Sequence, residues 1–577
     1  MSHTPKFDVK VSTILDATKS GERTCKLTGK RWTMDEDEIE ICRKFSVPPS
    51  AVAPQTRWQH HGAWYVGFQL WYQKHPETGA PVICTVHPSS GVKVLPDKEW
   101  FTKDFVHAGR DVDVVAPFFP QWRALQLAVP MPANRNHIEP VNSVAFVSQG
   151  DENSMFVGAS KTKDSLYCHV AMDTEDSAEV YQGFAIQSSF NIVHSRRIYE
   201  CQFVRESADC MKSAFLFDCR NCENCFGATN RRNAKYLWFN EQLTKTEWER
   251  RRAGVGLGSR VVAETHLKQF RDLMERDAVW PENFNEQVSD SSGEYLTKTT
   301  RVTDSYFCED GATDLTHCNF SVGRAERCAY TGYPVGSADV YYSASLNRSQ
   351  MCKFCFLTIG SRNMEYCLLC YNCEDCFGCV GLQHKKFCIL NKQYTEAEYW
   401  ETVDALKCAM LERGEYGEFF PAGYSPSYWK DSGAPVWFGM TEEEARGIGC
   451  MFYDPEGDGA VGDLATAAQC KNVSELPDHC KDLAKWANVA LYDDVARRRF
   501  SLIPQEVDFY ARHTIAPPRK HFIARMQDLW AEANCGVFME AACTACGRQL
   551  RVAQNPAHAK RKFLCRTDYL AFLERLG

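Results

Sequence analysis

Cysteines at three-residue spacing stand out in the stretch CLLCYNCEDCFGC, which places thiols at Cys367, Cys370, Cys373, Cys376 and Cys379. The whole chain has 28 cysteines among 577 residues. Thiolates bind zinc or iron–sulfur clusters, whereas a neutral thiol packs like a small apolar side chain. The first residues lack a secretory pattern, so metal ligation or packing is favoured over disulfides. We therefore expect a reducing compartment, either cytoplasmic or organellar.

The best match to a metal site lies near the C-terminal end. Cys543 and Cys546 are separated by two residues, and Cys565 follows after eighteen more. Asp568 stands where the fourth thiol of a zinc ribbon would stand, and His558 is the alternative fourth ligand. Four such ligands surround one tetrahedral zinc ion. The spacing predicts a structural zinc, and an eroded ribbon held by packing is the alternative.

The N-terminal part contains weaker versions of the same motif. Cys84-Thr-Val-His87 forms half of a zinc knuckle, and Cys25-Lys-Leu-Thr28 forms half of another. The sequence KVLPDKEW that follows the first of them supplies no second thiol pair. We therefore expect a degenerate zinc-ribbon-like module that binds no metal.

The closely spaced thiols occur twice in the chain and allow three interpretations. They are Cys219, Cys222 and Cys225 in one place and Cys370, Cys373, Cys376 and Cys379 in the other. An iron–sulfur string is disfavoured, because the final three-residue gap and proline are missing and Ala228 replaces the fourth thiol of the first set. Zinc within each set remains an alternative. We interpret these cysteines mainly as buried thiols packed at stacked turns.

A shift of 151 residues superimposes the sequence 219–248 on 370–399, with twelve of thirty positions identical. Residues 150–280 and 281–420 are therefore predicted to be two copies of one unit. Short β-prone segments at about ten-residue intervals predict a β-solenoid-like stack in each copy, and a compact metal-clustered knot is the alternative. Thr244 and Thr395, each with a glutamate three residues later, predict the capped helices that close the copies.

The two ends of the chain also resemble each other. The segments 40–58 and 508–526 each combine an amphipathic helix, a Pro-Pro break and an arginine-containing stretch. We predict a fold that is mainly β with capping helices, in which α+β zinc-ribbon-like modules flank the duplicated repeat. The predicted parts are a tail at 1–24, a module at 25–149, the two repeats, a linker at 421–485 and a module at 486–577. The linker carries Asp454, Glu456, Asp458 and Asp463, which lack the spacing of an EF-hand.

Charge is distributed unevenly along the chain. The net charge is −8 overall, but residues 490–577 contain 14 Lys+Arg against 9 Asp+Glu. Basic residues interleaved with aromatics are typical of nucleic-acid binders. The candidate contacts are Arg519, Lys520, Lys560, Arg561 and Lys562. No run of about 18 apolar residues indicates a membrane span, and no nucleophile elbow, Walker loop, metalloprotease helix or kinase signature occurs.

The phrases NCENCFGATNRRNAKYLWFNEQLTKTEW, NCEDCFGCVGLQHKKFCILNKQYTEAEYW and GEYGEFFPAGYSPSYW resemble a family of large cysteine-rich proteins of candidate-phyla (Patescibacteria-like) bacteria. The resemblance covers most of the chain and implies zinc-ribbon modules that flank cysteine-knuckle repeats, but no reaction. Where the family tends to have thiol pairs, this chain has Thr28, Ala53, Thr56, His87, Leu95, Lys98 and Asp568.

These observations predict a non-enzymatic scaffold or protein-binding component of a larger assembly. RNA binding through residues 490–577 is the alternative. Redox or metal handling is a third hypothesis, which lacks an obvious group to activate a thiolate.

Overall fold

The computed structural model describes residues 3–65, 67–136, 138–453 and 469–576. Strands make up 31% of it and helices 28%, in several sheets that do not close on themselves, which agrees with a cysteine-rich β class carrying additional helices. The acidic residues Asp454, Glu456, Asp458 and Asp463 lie outside the described residues. No helix in the described part of the chain has both the length and the apolar character to cross a membrane.

The N-terminal module combines helices with short hairpins. Its helices are α1 (Pro5–Ala17), α2 (Glu36–Phe45), α3 (Pro54–Gly62), α4 (Asp97–Trp100) and α5 (Phe118–Ala128). Its strands are β1 (Gly21–Thr24), β2 (Arg31–Met34), β3 (Trp71–Lys74), β4 (Pro81–Cys84), β5 (Val94–Leu95) and β6 (Met131–Pro132). Strands β1 and β2 pair antiparallel, as do β3 and β4. Asp35 starts α2 by accepting a hydrogen bond from the Glu38 amide, as an N-cap does.

The first repeat forms a row of hydrogen-bonded strands that we call the first ladder. Its strands are β7 (Val144–Phe146), β8 (Met155–Gly158), β9 (Lys161–Lys163), β10 (Leu166–Glu175), β11 (Ala178–Gln187), β12 (Phe190–Tyr199), β13 (Gln202–Arg205), β14 (Ala208–Met211), β15 (Ala214–Phe217), β16 (Phe226–Thr229), β17 (Leu237–Trp238) and β18 (Glu241–Gln242). Parallel neighbours pair at twelve-residue steps, as Cys168 with Val180 and Val180 with Ile192 show. The helices α6 (Lys245–Ala253) and α7 (Arg260–Asp277) and the short strand β19 (Trp280–Pro281) follow.

The second repeat forms a second ladder of mainly parallel strands, which are divided among sheets of six, four and two strands. Its strands are β20 (Gly293–Leu296), β21 (Thr300–Thr303), β22 (Ser305–Cys308), β23 (Thr313–Thr316), β24 (Asn319–Ser321), β25 (Gly332–Val335), β26 (Ala344–Asn347), β27 (Phe356–Ile359), β28 (Arg362–Glu365), β29 (Glu374–Phe377), β30 (Lys386–Ile389) and β31 (Lys392–Gln393). Ala344 pairs with Phe356, again twelve residues on. Helix α8 (Glu396–Glu412) closes the unit, and Thr395 and Glu398 form its predicted capping box.

The remaining elements belong to the C-terminal third of the chain. They are α9 (Gly433–Phe438), α10 (Glu442–Gly447), β32 (Lys471–Asn472), β33 (Leu491–Asp493), β34 (Arg498–Phe500), α11 (Pro504–Arg512), α12 (Phe522–Ala531), β35 (Phe538–Ala542), β36 (Gln549–Ala553), β37 (Phe563–Leu564) and α13 (Arg566–Leu576). Residues 421–453 of the predicted linker contain the two short helices α9 and α10. Helix α9 buries Trp437 against Phe320 of the second ladder and Phe438 against Trp58 of the N-terminal module. Large aromatic side chains stabilise a fold when they leave water.

The backbone turns at every third residue of the ladders, which explains the spacing of the cysteines. Residues at these turns, such as Phe354, Leu357 and Tyr366, have a left-handed φ. That conformation costs about 1–2 kcal/mol for a residue other than glycine. Backbone hydrogen bonds to the neighbouring strands offset the cost, for example from the Leu369 amide to the Phe356 carbonyl at 3.1 Å. The residue after each turn points into the interior, so the buried side chains recur with a period of three.

The terminal modules are related by a shift of 468 residues, which takes Glu38 to 506 and Arg57 to 525. In each module a buried glutamate pairs with a buried arginine nineteen residues later. The Arg57 guanidinium lies 4.0 Å from the Tyr330 ring in the second ladder. The Arg525 guanidinium lies 4.8 Å from the Tyr167 ring in the first ladder. The N-terminal module therefore docks on the second ladder. The C-terminal module docks on the first ladder and also contacts the second, where the Tyr306 hydroxyl donates to the Asn534 carbonyl.

Candidate metal centre

Three segments of the C-terminal module bring the predicted metal ligands together. Cys543 and Cys546 lie in the turn between β35 and β36, Cys565 follows β37, and Asp568 lies in the first turn of α13. One ligand atom from each of these residues lies within 4.8 Å of every other. In the part of the chain that the structure describes, this is the only group of three or more such side chains so arranged.

The distances fit a tetrahedral ion. The Cys546 and Cys565 sulfur atoms are 3.9 Å apart, and zinc–sulfur bonds of about 2.3 Å place tetrahedral ligands about 3.8 Å apart. The Cys543 and Cys565 thiols donate to Oδ2 of Asp568 at 3.1 and 3.2 Å. Hydrogen bonds from the thiols, that of Cys546 foremost, lower the pKa of the Asp568 carboxyl. Asp568 is thus placed as the fourth ligand.

His558, the alternative fourth ligand, belongs to a different environment. Its Nε2 atom lies 3.9 Å from Oε2 of Glu532, and its ring centroid lies 5.6 Å from that of Trp280. It is absent from the group of metal-ligating atoms described above. The alternative of His558 as a ligand is therefore wrong for this structure.

The local backbone explains why the side chains of Cys543 and Cys546 converge on one candidate metal position. The Cys543 amide donates to the Arg548 carbonyl at 2.9 Å, and the Gly547 amide donates back to the Cys543 carbonyl at 2.9 Å. Gly547 has a φ of +76°, a conformation that glycine adopts without steric cost. The Cys565 amide donates to the Cys543 sulfur at 3.4 Å, which links the two ligand-bearing segments directly.

Two N-terminal hairpins contain the same turn without the thiol pair. Amide-to-carbonyl bonds join Cys25 to Lys30 and His75 to Ala80 in the pattern seen at Cys543. In the second of these turns His75 stands where Cys543 stands, and its Nε2 atom lies 2.9 Å from Oε2 of Glu99. A histidine–glutamate contact thus takes the place of the contact between Cys543 and its aspartate. The turn persists where the ligands have changed.

The expectation that Cys84 and His87 form half of a knuckle is wrong. Cys84 ends strand β4, its thiol donates to the Val86 carbonyl at 3.2 Å, and burial raises its pKa to about 12. The His87 ring stacks on the Tyr453 ring with the centroids 3.5 Å apart. The hairpin loop that corresponds to the knuckle begins at His75. Sequence reasoning missed it because it contains no thiol, although Thr78-Gly79 repeats the Thr28-Gly29 of the first hairpin.

The closely spaced thiols lie inside the ladders as hydrogen-bonded packing groups. The Cys370 thiol donates to the carbonyl two residues before it and to the carbonyl nine residues after it, at 3.6 and 3.7 Å. The Ser361 hydroxyl makes the same two contacts. Burial raises the pKa of the Cys370 thiol. The contact to the carbonyl nine residues later recurs at Cys219, Cys222, Cys225, Cys370, Cys373, Cys376 and Cys379.

The predicted nucleic-acid contacts differ in exposure and in hydrogen bonding. The residues are Arg519, Lys520, Lys560, Arg561 and Lys562. The two arginines and Lys562 donate to oxygen atoms of this chain, and Lys520 pairs with a carboxylate. Lys520, Lys560 and Lys562 are exposed, whereas the two arginines are partly buried. Nucleic-acid binding through these residues stays a prediction.

Comparison of this chain with protein-family models, with curated proteins and with solved structures gives no match. Its function is therefore argued from its own residues.

Proposed function

We propose that the chain is a non-enzymatic scaffold or binding protein, a component of a larger protein assembly, with one structural zinc ion. The observation that carries the zinc is the convergence of Cys543, Cys546, Cys565 and Asp568 within 4.8 Å. Three thiolates and a carboxylate complete a tetrahedron and leave no open position for a substrate, which is typical of a structural site.

A zinc ion there would stabilise the attachment of the C-terminal module to the first repeat. Strand β37, next to Cys565, pairs with β19, which follows the helices of the first repeat. The Tyr569 hydroxyl, one residue after Asp568, bonds to the carboxylate of Asp218 in the first ladder. Holding the ligand-bearing segments together therefore fixes the end of the chain against the ladder.

The scaffold role includes the proposal that each ladder is one β-solenoid. The twelve-residue register and the bridges that continue it, such as Ala338 with Gln350, support this proposal. Stacked parallel strands of this kind present long, rigid surfaces suited to protein contact. None of the 28 cysteines forms a disulfide in the described structure, which supports a reducing compartment. The cysteine-rich motifs support kinship with the family they resemble.

The test is a zinc and iron determination by plasma mass spectrometry on protein purified without chelator. We expect about one zinc per chain, since one four-ligand site binds one ion. The variants Cys546→Ser and Asp568→Asn should lose most of the zinc. Cys373→Ser, which changes a packed thiol of the second ladder, should keep it.

Three or more zinc ions per chain, or iron together with sulfide, would contradict the proposal and assign metal to the ladder thiols. Full zinc content in Cys546→Ser would show that Cys546 is not a zinc ligand and would contradict the proposed site. RNA binding through residues 490–577, the alternative function, would appear as an affinity that falls steeply with salt concentration.

A further inference from the structure

A cleft of about 430 Å³ separates the two ladders. From the first ladder it is lined by Gln182, Phe184, His194, Arg196 and Glu206, among others, and from the second by Tyr295, Phe307, Glu309 and Asp310. Gln182, His194 and Glu206 follow one another at the twelve-residue step, so they form one column on the face of the first ladder. The cleft is distinct from the metal centre.

Hydrogen bonds fix the floor of the cleft. Nδ1 of His194 lies 2.6 Å from Oε2 of Glu206, and the Tyr295 hydroxyl donates to Oε1 of the same carboxylate at 2.6 Å. The His194 ring stacks on the Tyr295 ring with the centroids 3.6 Å apart. Glu206 and Tyr295 are 3% and 2% exposed. Because Glu206 and Tyr295 come from different ladders, these contacts hold the two walls at a set distance.

Among the charged side chains of the lining that have no ion-pair partner, carboxylates outnumber cations. Each of its three arginines forms an ion pair with a neighbouring carboxylate. Glu309 and Asp310 form no ion pair within the described residues, and Glu206 contacts only the imidazole and the phenol named above. Lys298 is the one remaining cation of the lining. Two unpaired carboxylates, Glu309 and Asp310, therefore accompany one lysine, while Glu206 lies against the His194 imidazole. Burial raises the pKa of Glu309.

Gln182 adds an acceptor without a donor. Its side chain is buried, and among the described residues its Oε1 atom accepts no hydrogen bond. Its Nε2 atom lies 3.5 Å from the Tyr306 oxygen, whose own proton goes to the Asn534 carbonyl at 2.9 Å. Rotating the amide would leave Oε1 without a donor again and would also remove the Nε2 contact with Tyr306, which favours the present orientation. A buried unpaired acceptor costs about 1–3 kcal/mol, which a ligand with N–H groups would recover.

Aromatic rings form much of the remaining wall. Phe307 packs edge-on to Tyr295 with the centroids 6.3 Å apart, and Phe184 is 51% exposed at the rim. A guanidinium group stacks on aromatic faces and donates in its plane to carboxylates. We propose that the cleft is a binding site for an alkylguanidinium cation, with Glu309 and Gln182 as acceptors and Phe184 and Phe307 as the stacking surface.

Calorimetric titration of the full-length protein with n-butylguanidinium tests the site, and n-butylurea is the neutral probe of matched shape. We expect the cation to bind at least about tenfold more tightly, because only it forms charge-assisted bonds to the carboxylates. Glu309→Gln should weaken its binding by a similar factor. Glu374→Gln, which changes a carboxylate of the second ladder outside the cleft, should leave it unchanged.

A second pair of variants tests the aromatic wall without changing charge. Phe184→Ala should weaken binding about threefold or more, through loss of stacking. Met351→Ala, a similarly exposed apolar residue on the second ladder, is its control. The thermal midpoint of every variant is measured alongside, and Phe184→Ala, altered at an exposed position, is expected to fold normally.

The source of the group is distinguished by a blocked Ala-Arg-Ala peptide. A peptide affinity at least about tenfold above that of n-butylguanidinium indicates an arginine of a partner protein, and equal affinities indicate a free small molecule. Equal binding of the cation and the urea, absence of binding by both, or full affinity in Glu309→Gln would overturn the proposal. These outcomes do not depend on the zinc content.

Discussion

At the scale of single residues, two buried arginines connect the terminal modules to the ladders. Arg525 reaches Glu506 of its own module and Glu179 of the first ladder, both at 2.9 Å. Its side chain is 9% exposed, and those of the two glutamates are 5% or less. Arg57 repeats the arrangement with Glu38 at the other end of the chain. The pairs matter because a buried charge without its partner is costly.

Replacing Arg525 by methionine should therefore lower the free energy of unfolding by about 3–5 kcal/mol, since two carboxylates stay buried without a cation. Arg512→Met removes ion pairs of a half-exposed arginine with Asp176 and Asp508 and should cost under about 1 kcal/mol. Urea denaturation followed by tryptophan fluorescence measures both changes. Similar losses of stability in the two variants would show that the buried ion pairs stabilise the fold no more than the half-exposed ones.

At the scale of elements, two equivalent asparagines end the ladders before the capped helices. Asn240 Oδ1 accepts from the Thr229 amide at 3.0 Å, and Asn391 Oδ1 accepts from the Val380 amide at 2.8 Å, 151 residues later. Both residues have a left-handed φ. Only Asn391 is fully buried, and its Nδ2 atom also donates to the Phe105 carbonyl of the N-terminal module at 3.1 Å.

Asn391→Ala should therefore destabilise the protein by about 3 kcal/mol and Asn240→Ala by about 1–2 kcal/mol, since each lost buried bond costs about 1 kcal/mol or more. The cost of a left-handed alanine is common to both variants and cancels in the comparison. Differential scanning calorimetry on the two variants gives the difference. An Asn240→Ala effect equal to or larger than that of Asn391→Ala would refute the role of the module contact.

At the scale of the whole molecule, the candidate metal ligands and the buried ladder thiols lie in different parts of the chain. The interiors of the ladders consist of buried thiols, hydroxyls and aliphatic side chains, whereas the candidate zinc ligands sit in one peripheral module. The modules at the two ends cross over, so that each docks on the ladder farther from it along the sequence. Contacts between distant segments therefore link both ladders into one structure.

Chelation of the metal should open the C-terminal module alone. After EDTA treatment, hydrogen exchange should rise in β35, β36 and α13 and stay unchanged in β10 to β12, because the ladder amides are protected by strand pairing. The variant Asp568→Asn without EDTA should reproduce the local effect. Loss of protection throughout the ladders would mean that metal builds the whole fold.

The sequence by itself determined the features that depend on short-range or periodic patterns. These features are the shift of 151 residues, the cap at Thr395 and the ligand spacing from Cys543 to Asp568. Each depends on residues within one short segment of the chain or on a repeated period. That is why the duplicated β-rich class and the candidate metal ligands were predictable.

The tertiary structure alone decided the rest. Nothing local predicts left-handed turns at phenylalanine and tyrosine, because they are stable only when neighbouring strands supply their hydrogen bonds. Packing between distant segments also produces the contact of His75 with Glu99, the docking of each terminal module on the ladder farther from it in sequence, and the cleft. Glu206 and Tyr295 meet there across 89 residues of sequence, and only the packing of the two ladders brings them together.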